Sequence, residues 1–588
     1  MANHRLISQS VSRRSLVRGS LAFVGGMSAA ALVGCGGTKG APSAAPGATA
    51  DTGGGQAATK EEAAKRPFNY TVAASSAQPK RGGSVVVAVA ADIGSMDVSK
   101  SGATGNLTPA GTTYETLLRR KMTTKDSELG GTPGAPSKDI EVGLAQSWEV
   151  TPDGLTYTFK LRPNAKWINV APLNGRAFTA EDVVYSYQRY ASTGIWQSNF
   201  DAMAKIEAVN PLTVKVTLKR PSPDFIVPLA EQNNPIQPKE LVDNKTLDKV
   251  AIGTGPMILK EHVAGQAVRY VRNPDYWGPA PHLDGFEYRI IPDTAAQVAA
   301  FRAGQIIRAG ARTPKDIKAI QESVPGSNVT QSLYTKSVFF TAFNMTQAKW
   351  KDERVRQAFS LALDRDTINA TLYDGLSSTL PVMPWNHVLD KEPVAKDLGK
   401  WWRFDLAESK KLLQAAGQEN LKFDWLYTNQ YLTAQNEMII DQFRKAGFQV
   451  NARQIDYVQF NAQLAKAQYE DAIQAWDPHG TQADNYFKAQ LQSGAASNLF
   501  YIKDPEIDTW SEQQSVELDP RKRREILRKI WDRMLDKMYR VEHTNSVNFT
   551  VWQPWIHGMQ WIVGNDGLGP SVFGYNASQF MPDIWTSK

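Results

Sequence analysis

Residues 144–168 read LAQSWEVTPDGLTYTFKLRPNAKWI, and this stretch decides the first part of the fold. Two short runs, 148–150 and 156–161, have the alternation of strands, and Thr151-Pro152-Asp153-Gly154 between them has the composition of a tight turn. In the second run Tyr, Phe and Leu alternate with Thr and Lys, which is typical of an antiparallel strand with one buried face. The stretch therefore predicts a hairpin packed against a hydrophobic core.

A helix is predicted directly after the hairpin, in FTAEDVVYSYQRY. Thr179 can cap its first turn, and Glu181 and Asp182 complement the helix dipole. Upstream, GGSVVVAVAA at 82–91 predicts a buried strand. Strands and helices alternate along the rest of the chain, which indicates an α/β fold.

Two further helices are indicated by apolar spacing. Residues 352–368 carry an apolar stripe at helical intervals, and we interpret Asp364 and Asp366 as salt-bridged surface carboxylates. Thr433 is predicted to cap a helix that ends at Gly447.

A last helix is predicted from Asp519 as cap, with Pro520 at its first position. Its opening basic run, 521–524, is interpreted as a solvated helix face.

Five tracts, in order, resemble the signature of the family 5 extracellular solute-binding proteins, which are the peptide, nickel and opine receptors of ABC importers. The tracts are Tyr114-Glu115-Thr116-Leu117, 144–189, 253–278, 352–368 and 412–417. The resemblance covers most of residues 81–588.

The resemblance implies an α/β, bilobed, periplasmic-binding-protein-like fold of type II, cluster C, with an extra small domain in the first lobe. Lobe 1 is expected at 81–120, 226–340 and 545–588, the extra domain at 121–225, and lobe 2 at 341–544. A ligand would be trapped as the lobes close, and the closed form would dock on a permease. No GxxxxGK[ST] loop occurs, which agrees with a separate ATPase subunit.

The first 35 residues have the pattern of an export signal. Arg13 and Arg14 lie in a stretch that resembles the twin-arginine motif, and an apolar run of small residues follows. Leu32-Val33-Gly34-Cys35 resembles a lipobox, in which the cysteine carries the lipid. The lipobox and the export signal lead us to expect a lipid anchor and an extracytoplasmic protein. Because Cys35 is the only cysteine, we expect no internal disulfide.

Residues 36–80 are rich in Gly, Ala, Ser and Thr and are predicted to be a flexible linker. The whole chain carries +7, of which residues 1–35 contribute +4 and the linker +2. The remaining globule is nearly neutral, which makes nucleic acid a poor partner. We expect a monomer with a small-molecule or oligopeptide ligand.

An enzyme is the rival class. None of the patterns GxSxG, HExxH, CxxC and GxGxxG occurs, and the seven histidines show no paired metal-ligand spacing. We therefore expect no catalytic activity, cofactor or metal centre, and regard a secreted hydrolase as the alternative from another class.

Ligand identity is expected to depend on residues 469–487. Peptide-binding relatives have a Trp followed three residues later by an Asp that pairs with the ligand's ammonium group. Trp476 matches the Trp, but His479 stands where the Asp would be. Asp477-Pro478-His479 matches the letters of a tract in nickel-binding relatives, with different spacing. A loop with a purely structural role is the alternative.

Four other residues are predicted to contact the ligand by their position in the resemblance: Asn106, Asn344, Trp385 and Asn386. A peptide-like solute is the first expectation for the ligand. An oligosaccharide, which would suit aromatic and amide side chains, and a nickel or other metal chelate remain open.

Overall fold

The computed structural model describes residues 71–588 apart from 73, 101–109, 130, 133–134, 312, 332–338, 378–386, 390–392, 394, 429–431, 477–482, 496, 545–547 and 564–576. All described residues fall within one compact unit, Ala58–Lys588.

The strands of the described residues, in chain order, are β1 Ser84–Val89, β2 Leu118–Arg120, β3 Met122–Thr123, β4 Ile140–Val142, β5 Ala145–Val150, β6 Thr156–Leu161, β7 Met203–Asn210, β8 Thr213–Leu218, β9 Met257–Val263, β10 Ala267–Arg272, β11 Gly285–Ile290, β12 Arg308–Ala311, β13 Asn328–Gln331, β14 Phe339–Phe343, β15 Lys422–Thr428, β16 Gln449–Ile455, β17 Ala472–Trp476, β18 Arg540–Glu542, β19 Phe549–Trp552, β20 Ile556–His557, β21 Trp561–Ile562 and β22 Trp585–Thr586.

The α-helices of the same residues are α1 Ala180–Ser192, α2 Lys239–Asp243, α3 Thr294–Arg302, α4 Pro314–Ser323, α5 Ala348–Lys351, α6 Glu353–Leu361, α7 Arg365–Tyr373, α8 Leu406–Ala415, α9 Thr433–Ala446, α10 Tyr457–Ala465, α11 Ala483–Tyr486, α12 Pro505–Val516, α13 Pro520–Lys537 and α14 Ala577–Phe580.

The predicted hairpin is confirmed as β5 and β6, which pair antiparallel inside the sheet β5-β6-β8-β7. Tyr157, Phe159 and Leu161 point into the core, as their alternation predicts. The helix after it, α1, starts after Thr179, whose backbone N–H donates to the buried Asp182 carboxylate at 2.9 Å. Local capping therefore fixes where α1 begins.

Lobe 1 contains two larger sheets, β1-β11-β10-β9 and β12-β19-β13. The second sheet has β19, from the C-terminal part of the chain, between two strands that lie more than 200 residues earlier. β3 pairs with β21, so residues 122–123 join the returning C-terminal segment rather than the extra sheet. The strands of the extra sheet span 145–218, a narrower range than the predicted 121–225.

Lobe 2 is built on one mixed sheet, β16-β15-β17-β14-β18. One face carries Phe340 and Ile473 against α12 and α13, and the other carries Phe343 and Trp425 against α6 and α9. Both faces are covered, so the strands are rich in apolar residues rather than alternating. The predicted start of lobe 2 at 341 falls inside β14, which begins at Phe339.

The chain passes between the two lobes twice. It leaves lobe 1 after β13 and enters lobe 2 at β14, and it returns from β18 to β19. β14 and β18 are neighbours in the lobe 2 sheet, and β13 and β19 are neighbours in lobe 1. The strands that flank the two crossings are therefore neighbours in both sheets.

The single helix predicted over 352–368 is wrong. The structure has α6 and α7 instead, because Asp364 accepts hydrogen bonds from the N–H and hydroxyl of Thr367 and caps a new helix. Asp364 is thus a cap, not half of a salt bridge. Gly447 ends α9 with φ of 105°, as predicted, but the N-cap position is Leu432, and Thr433 is the first helical residue.

Candidate functional site

Two of the five tracts that carry the resemblance, 114–117 and 253–278, meet around one buried carboxylate in lobe 1. Glu115 accepts hydrogen bonds from Thr254 Oγ1 at 2.9 Å, Tyr276 OH at 2.9 Å and Trp277 Nε1 at 2.7 Å. The Arg119 guanidinium adds an ion pair at 2.5 Å. The pKa of Tyr276 is raised, first by burial and then by the Glu115 charge. These residues therefore form a lobe 1 framework.

Gly253 is part of the same framework. A Cβ at this position would lie 2.0 Å from the carbonyl oxygen of Thr113, so only glycine allows the two backbones to approach. The following segment is held by Asn273, whose side-chain nitrogen donates to the Gly255 carbonyl at 2.9 Å.

The register of β14 and β17 locates the candidate ligand residues of lobe 2. Trp476, at the end of β17, pairs with Phe339, the first residue of β14, directly after the crossing from lobe 1. The strand thus places Trp476 at the end of the lobe 2 sheet beside the crossing, which we call the crossing edge. The side chain of Trp476 lies outside the described residues. Ligand contact by Trp476 stays a prediction.

Asn344 lies at the opposite end of the same strand pair. It is five residues from Phe339, and at ~3.4 Å per residue this is about 17 Å. Its side-chain nitrogen donates to the carbonyls of Tyr469 and Glu470, and its oxygen accepts two bonds from Thr346. The amide is fully engaged in holding the turn before β17, and the structure does not bring Asn344 together with Trp476.

The other predicted residues lie outside the described part of the chain. They are Asn106, Trp385, Asn386, Asp477 and His479 for the ligand, Cys35 for the lipid, and Arg13 and Arg14 for export.

A buried polar group near the crossing edge was not found from the sequence. The Thr341 hydroxyl in β14 lies 2.8 Å from His543 Nε2, and the ring of His543 packs edge-on against Trp425. Burial, aided by the Arg365 charge, lowers the pKa of His543 to about 3. His543 is therefore neutral at physiological pH. Its only sequence signal is a histidine directly after the short strand β18, Arg540–Glu542.

Asn436 and Gln474 form a second buried polar pair in lobe 2. The Gln474 side-chain nitrogen donates to Asn436 at 2.7 Å, and the reverse bond is 3.4 Å. Such pairs fix the packing of α9 on β17, because a wrong arrangement would leave buried amides unsatisfied.

Comparison with known proteins identifies the fold family. A sequence model of the bacterial extracellular solute-binding proteins, family 5 Middle, matches residues 139–498. The chain belongs to this family. It is similar to heme-binding protein A of Haemophilus influenzae, with 26% identity over 76% of this chain and 84% of that protein. It is also similar to the dipeptide-binding protein of Escherichia coli, with 27% identity over 68% of this chain and 78% of that protein.

A solved structure shows the same fold. The periplasmic binding protein DppA from Helicobacter pylori, in complex with the peptide STSA, superposes with a TM-score of 0.69 at 21% identity, covering 87% of this chain and 99% of that one. The expected bilobed α/β fold is thus confirmed.

Family membership settles the class of function. The chain is a substrate-binding receptor of an ABC importer, and its family consists of extracellular or periplasmic binding proteins, not enzymes, that work with permease components. Among the described residues, no helix has the length and apolar character of a membrane span, and no group of three or more His, Cys, Asp or Glu could hold a metal ion.

Proposed function

We propose that this chain captures a peptide-like solute between its two lobes and delivers it to a membrane permease. The observation that carries the proposal is the pairing of the strands that flank the two crossings, β13 with β19 in lobe 1 and β14 with β18 in lobe 2. Two connections between neighbouring strands would let the lobes rotate about one axis. Trp476 ends β17 beside that axis, which is why we assign ligand contact to this edge.

Closure links binding to transport. A ligand that touches both lobes binds the closed form more tightly than the open form and shifts the population toward it. The permease then needs only to distinguish the closed from the open receptor.

A peptide ligand is supported by the dipeptide-binding relative. His479, in place of the expected Asp, means that the ammonium group of a peptide is recognised by other residues. Heme is the second candidate, because a relative that matches over three quarters of the chain is named for binding it.

The anchor and the export route are part of the proposal. Cys35 carries the lipid, Arg13 and Arg14 direct export, and the receptor acts as a monomer on the outer side of the cell membrane. Mass spectrometry of chain extracted from membranes should find an N-terminal peptide that begins at an acylated Cys35. A terminus that still begins at Met1 would contradict the anchor.

Native mass spectrometry of the full chain, released in mild detergent without refolding, tests the ligand. A series of extra masses that match short peptides is the expected result. Extra masses spaced by one hexose would indicate an oligosaccharide instead of a peptide. A single extra mass equal to that of heme would favour the second candidate. If no extra mass is found, the next measurement is the thermal shift of the chain with a set of defined dipeptides. A ligand at 100 times its Kd stabilises the folded protein by about 2.7 kcal/mol.

The Trp476→Ala variant tests the position of the site. We expect it to weaken binding of the identified ligand at least tenfold while the melting temperature changes little. Trp196→Ala is the matched control, because its indole donates to the Val98 carbonyl inside lobe 1. Loss of melting temperature without loss of affinity in Trp476→Ala would assign Trp476 to the core.

A further inference from the structure

A buried ion pair joins the two lobes at a point where the chain does not cross. Arg523 Nη1 and Nη2 donate to Asp224 Oδ1 and Oδ2, each at 2.6 Å, in a bidentate arrangement. The two side chains are only 2% and 4% exposed. The basic run 521–524 was predicted to be solvated, and for Arg523 that prediction is wrong.

Each partner belongs to a different lobe. Asp224 precedes Phe225, whose ring packs 5.0 Å from Tyr157 of β6 in the core that lobe 1 shares with the extra sheet. Arg523 lies in the first turns of α13, and Leu527 and Ile530 of the same helix are part of the lobe 2 core. The bond therefore spans the boundary between the lobes.

Further hydrogen bonds surround the pair. The Ala483 N–H, at the start of α11, donates to Asp224 Oδ2 at 3.2 Å. Gln514 Oε1 accepts from Arg523, and the Gln514 amide nitrogen donates to Asp484.

A second bond crosses between the lobes nearby, where Arg220 Nη1 donates to the Ser515 carbonyl at 3.3 Å. The contact is therefore built from both lobes and satisfies its buried polar groups.

The charges at the contact depend on one another. Burial alone would raise the pKa of Asp224, but the charge and hydrogen bonds of Arg523 outweigh it, so the pKa lies below its usual value. Burial raises the pKa of Asp484, which faces the same guanidinium. His387 and Arg220 also act on these carboxylates. The Arg523 guanidinium thus acts against the effect of burial on the pKa of both Asp224 and Asp484.

When the lobes separate, the Asp224–Arg523 pair becomes exposed to water. Bonds within one lobe keep their surroundings. In the closed arrangement both charges are away from water and depend on each other. In a separated arrangement each charge is hydrated and needs no partner. Removal of one charge therefore destabilises the closed arrangement selectively, because only there does the remaining charge stay buried without its bidentate partner.

We propose that Asp224 and Arg523 form a latch that favours the closed arrangement of the lobes, with or without ligand, and breaks when they separate. Ala483, whose N–H donates to Asp224, follows Trp476 by seven residues in the sequence. A ligand that moves this part of lobe 2 would strengthen or weaken the latch. This inference goes beyond the proposed function, since it holds whatever the ligand is.

The test is the distance between the lobes, measured by pulsed electron spin resonance on the full chain with no ligand added. Spin labels replace Val209 in β7 and Lys410 in α8, both exposed, in a chain with Cys35→Ser so that no other thiol reacts. We expect the parent chain to show a short distance from closed lobes beside a longer one from open lobes, since the latch favours closure but leaves the ligand able to shift the population. Asp224→Asn and Arg523→Gln should each lower the ratio of closed to open populations at least tenfold.

Two further variants separate a latch from general damage. Asp97→Asn removes a comparable buried charge from the Asp97–Arg189 pair, which lies inside lobe 1 at 2.5 Å, and should leave the distance unchanged. The double variant Asp224→Asn with Arg523→Gln should recover part of the closed population, because neither member of the pair is left charged and buried without the other.

Two outcomes would overturn the proposal. One is a parent chain whose distances are already those of separated lobes. The other is an Asp224→Asn chain with a lower melting temperature and the parent distance, which would make the pair a static brace.

Discussion

Glu115 and Asp224 are both buried carboxylates surrounded by donors, yet they hold different things together. All partners of Glu115 named above belong to lobe 1, where they join the two tracts 114–117 and 253–278. Asp224 takes its guanidinium and a backbone N–H from lobe 2. The Glu115 network stays intact whether the lobes are open or closed. The Asp224 network exists only when they are closed.

The difference between the Glu115 and Asp224 networks explains which part of the molecule the five family tracts identify. Two of the five tracts of the sequence resemblance, 114–117 and 253–278, build the Glu115 framework inside one lobe. The contact between the lobes uses Arg523 and Asp224, which lie in none of the five tracts. A resemblance in sequence therefore identifies the lobes before it says anything about how they move.

The largest expected effect comes from breaking the static network. Glu115→Ala removes four accepted bonds and leaves the Arg119 guanidinium, which is mostly buried, without its counter-charge. We expect a loss of about 3–5 kcal/mol in unfolding free energy, seen as a large fall in melting temperature. Thr254→Val removes only one of the bonds and should cost about 1 kcal/mol. Equal losses in the two variants would contradict a network centred on Glu115.

The next effect concerns His543, beside the crossing. Its pKa is lowered from 6.5 to about 3 in the folded protein, so the unfolded state binds the proton first as the pH falls. Stability is therefore full above pH 6.5 and decreases toward pH 3, by about 1.4 kcal/mol per pH unit at most. Melting curves should fall less steeply between pH 6.5 and 4.5 in His543→Gln. An unchanged slope would mean that His543 is not the group that titrates.

A smaller effect tests the backbone contact of the framework. Gly253→Ala places a methyl group against the Thr113 carbonyl and should cost about 1–3 kcal/mol. Gly310→Ala is the matched control, because a Cβ there meets no atom within 4 Å. Similar melting temperatures for the two variants would show that the framework can shift to accept a side chain.

The smallest effect is expected for an exposed ion pair. Asp441 and Lys445 lie one turn apart in α9 at 2.6 Å, with more than half of each side chain exposed. Lys445→Ala should change stability by less than about 0.5 kcal/mol. A loss as large as that of Glu115→Ala would mean that charge alone, rather than burial, decides these energies.

Much of the fold could be predicted because its signals are local. The hairpin at 148–161, the cap at Thr179 and the terminator Gly447 all act within a few residues of the elements they define. The helix over 352–368 was predicted wrongly because Asp364 caps a new helix inside an unbroken apolar pattern. Short-range capping outweighed periodicity there.

The site could be predicted less well because its contacts are distant in sequence. Asp224 and Arg523 are 299 residues apart, and no local pattern marks either of them. Asn344 was assigned to the ligand by its position after β14, but only the strand register shows that it lies at the far end from Trp476. The remaining ligand residues lie outside the part of the chain that the structure describes.

The comparison can be tested in one experiment, the inter-lobe distance of two matched variants, Glu115→Gln and Asp224→Asn. Each replaces a buried carboxylate by its amide with little change of shape. We predict that Asp224→Asn lengthens the distance and that Glu115→Gln lowers the melting temperature at the parent distance. Equal distances in both variants, whether short or long, would contradict the division between a lobe framework and a latch.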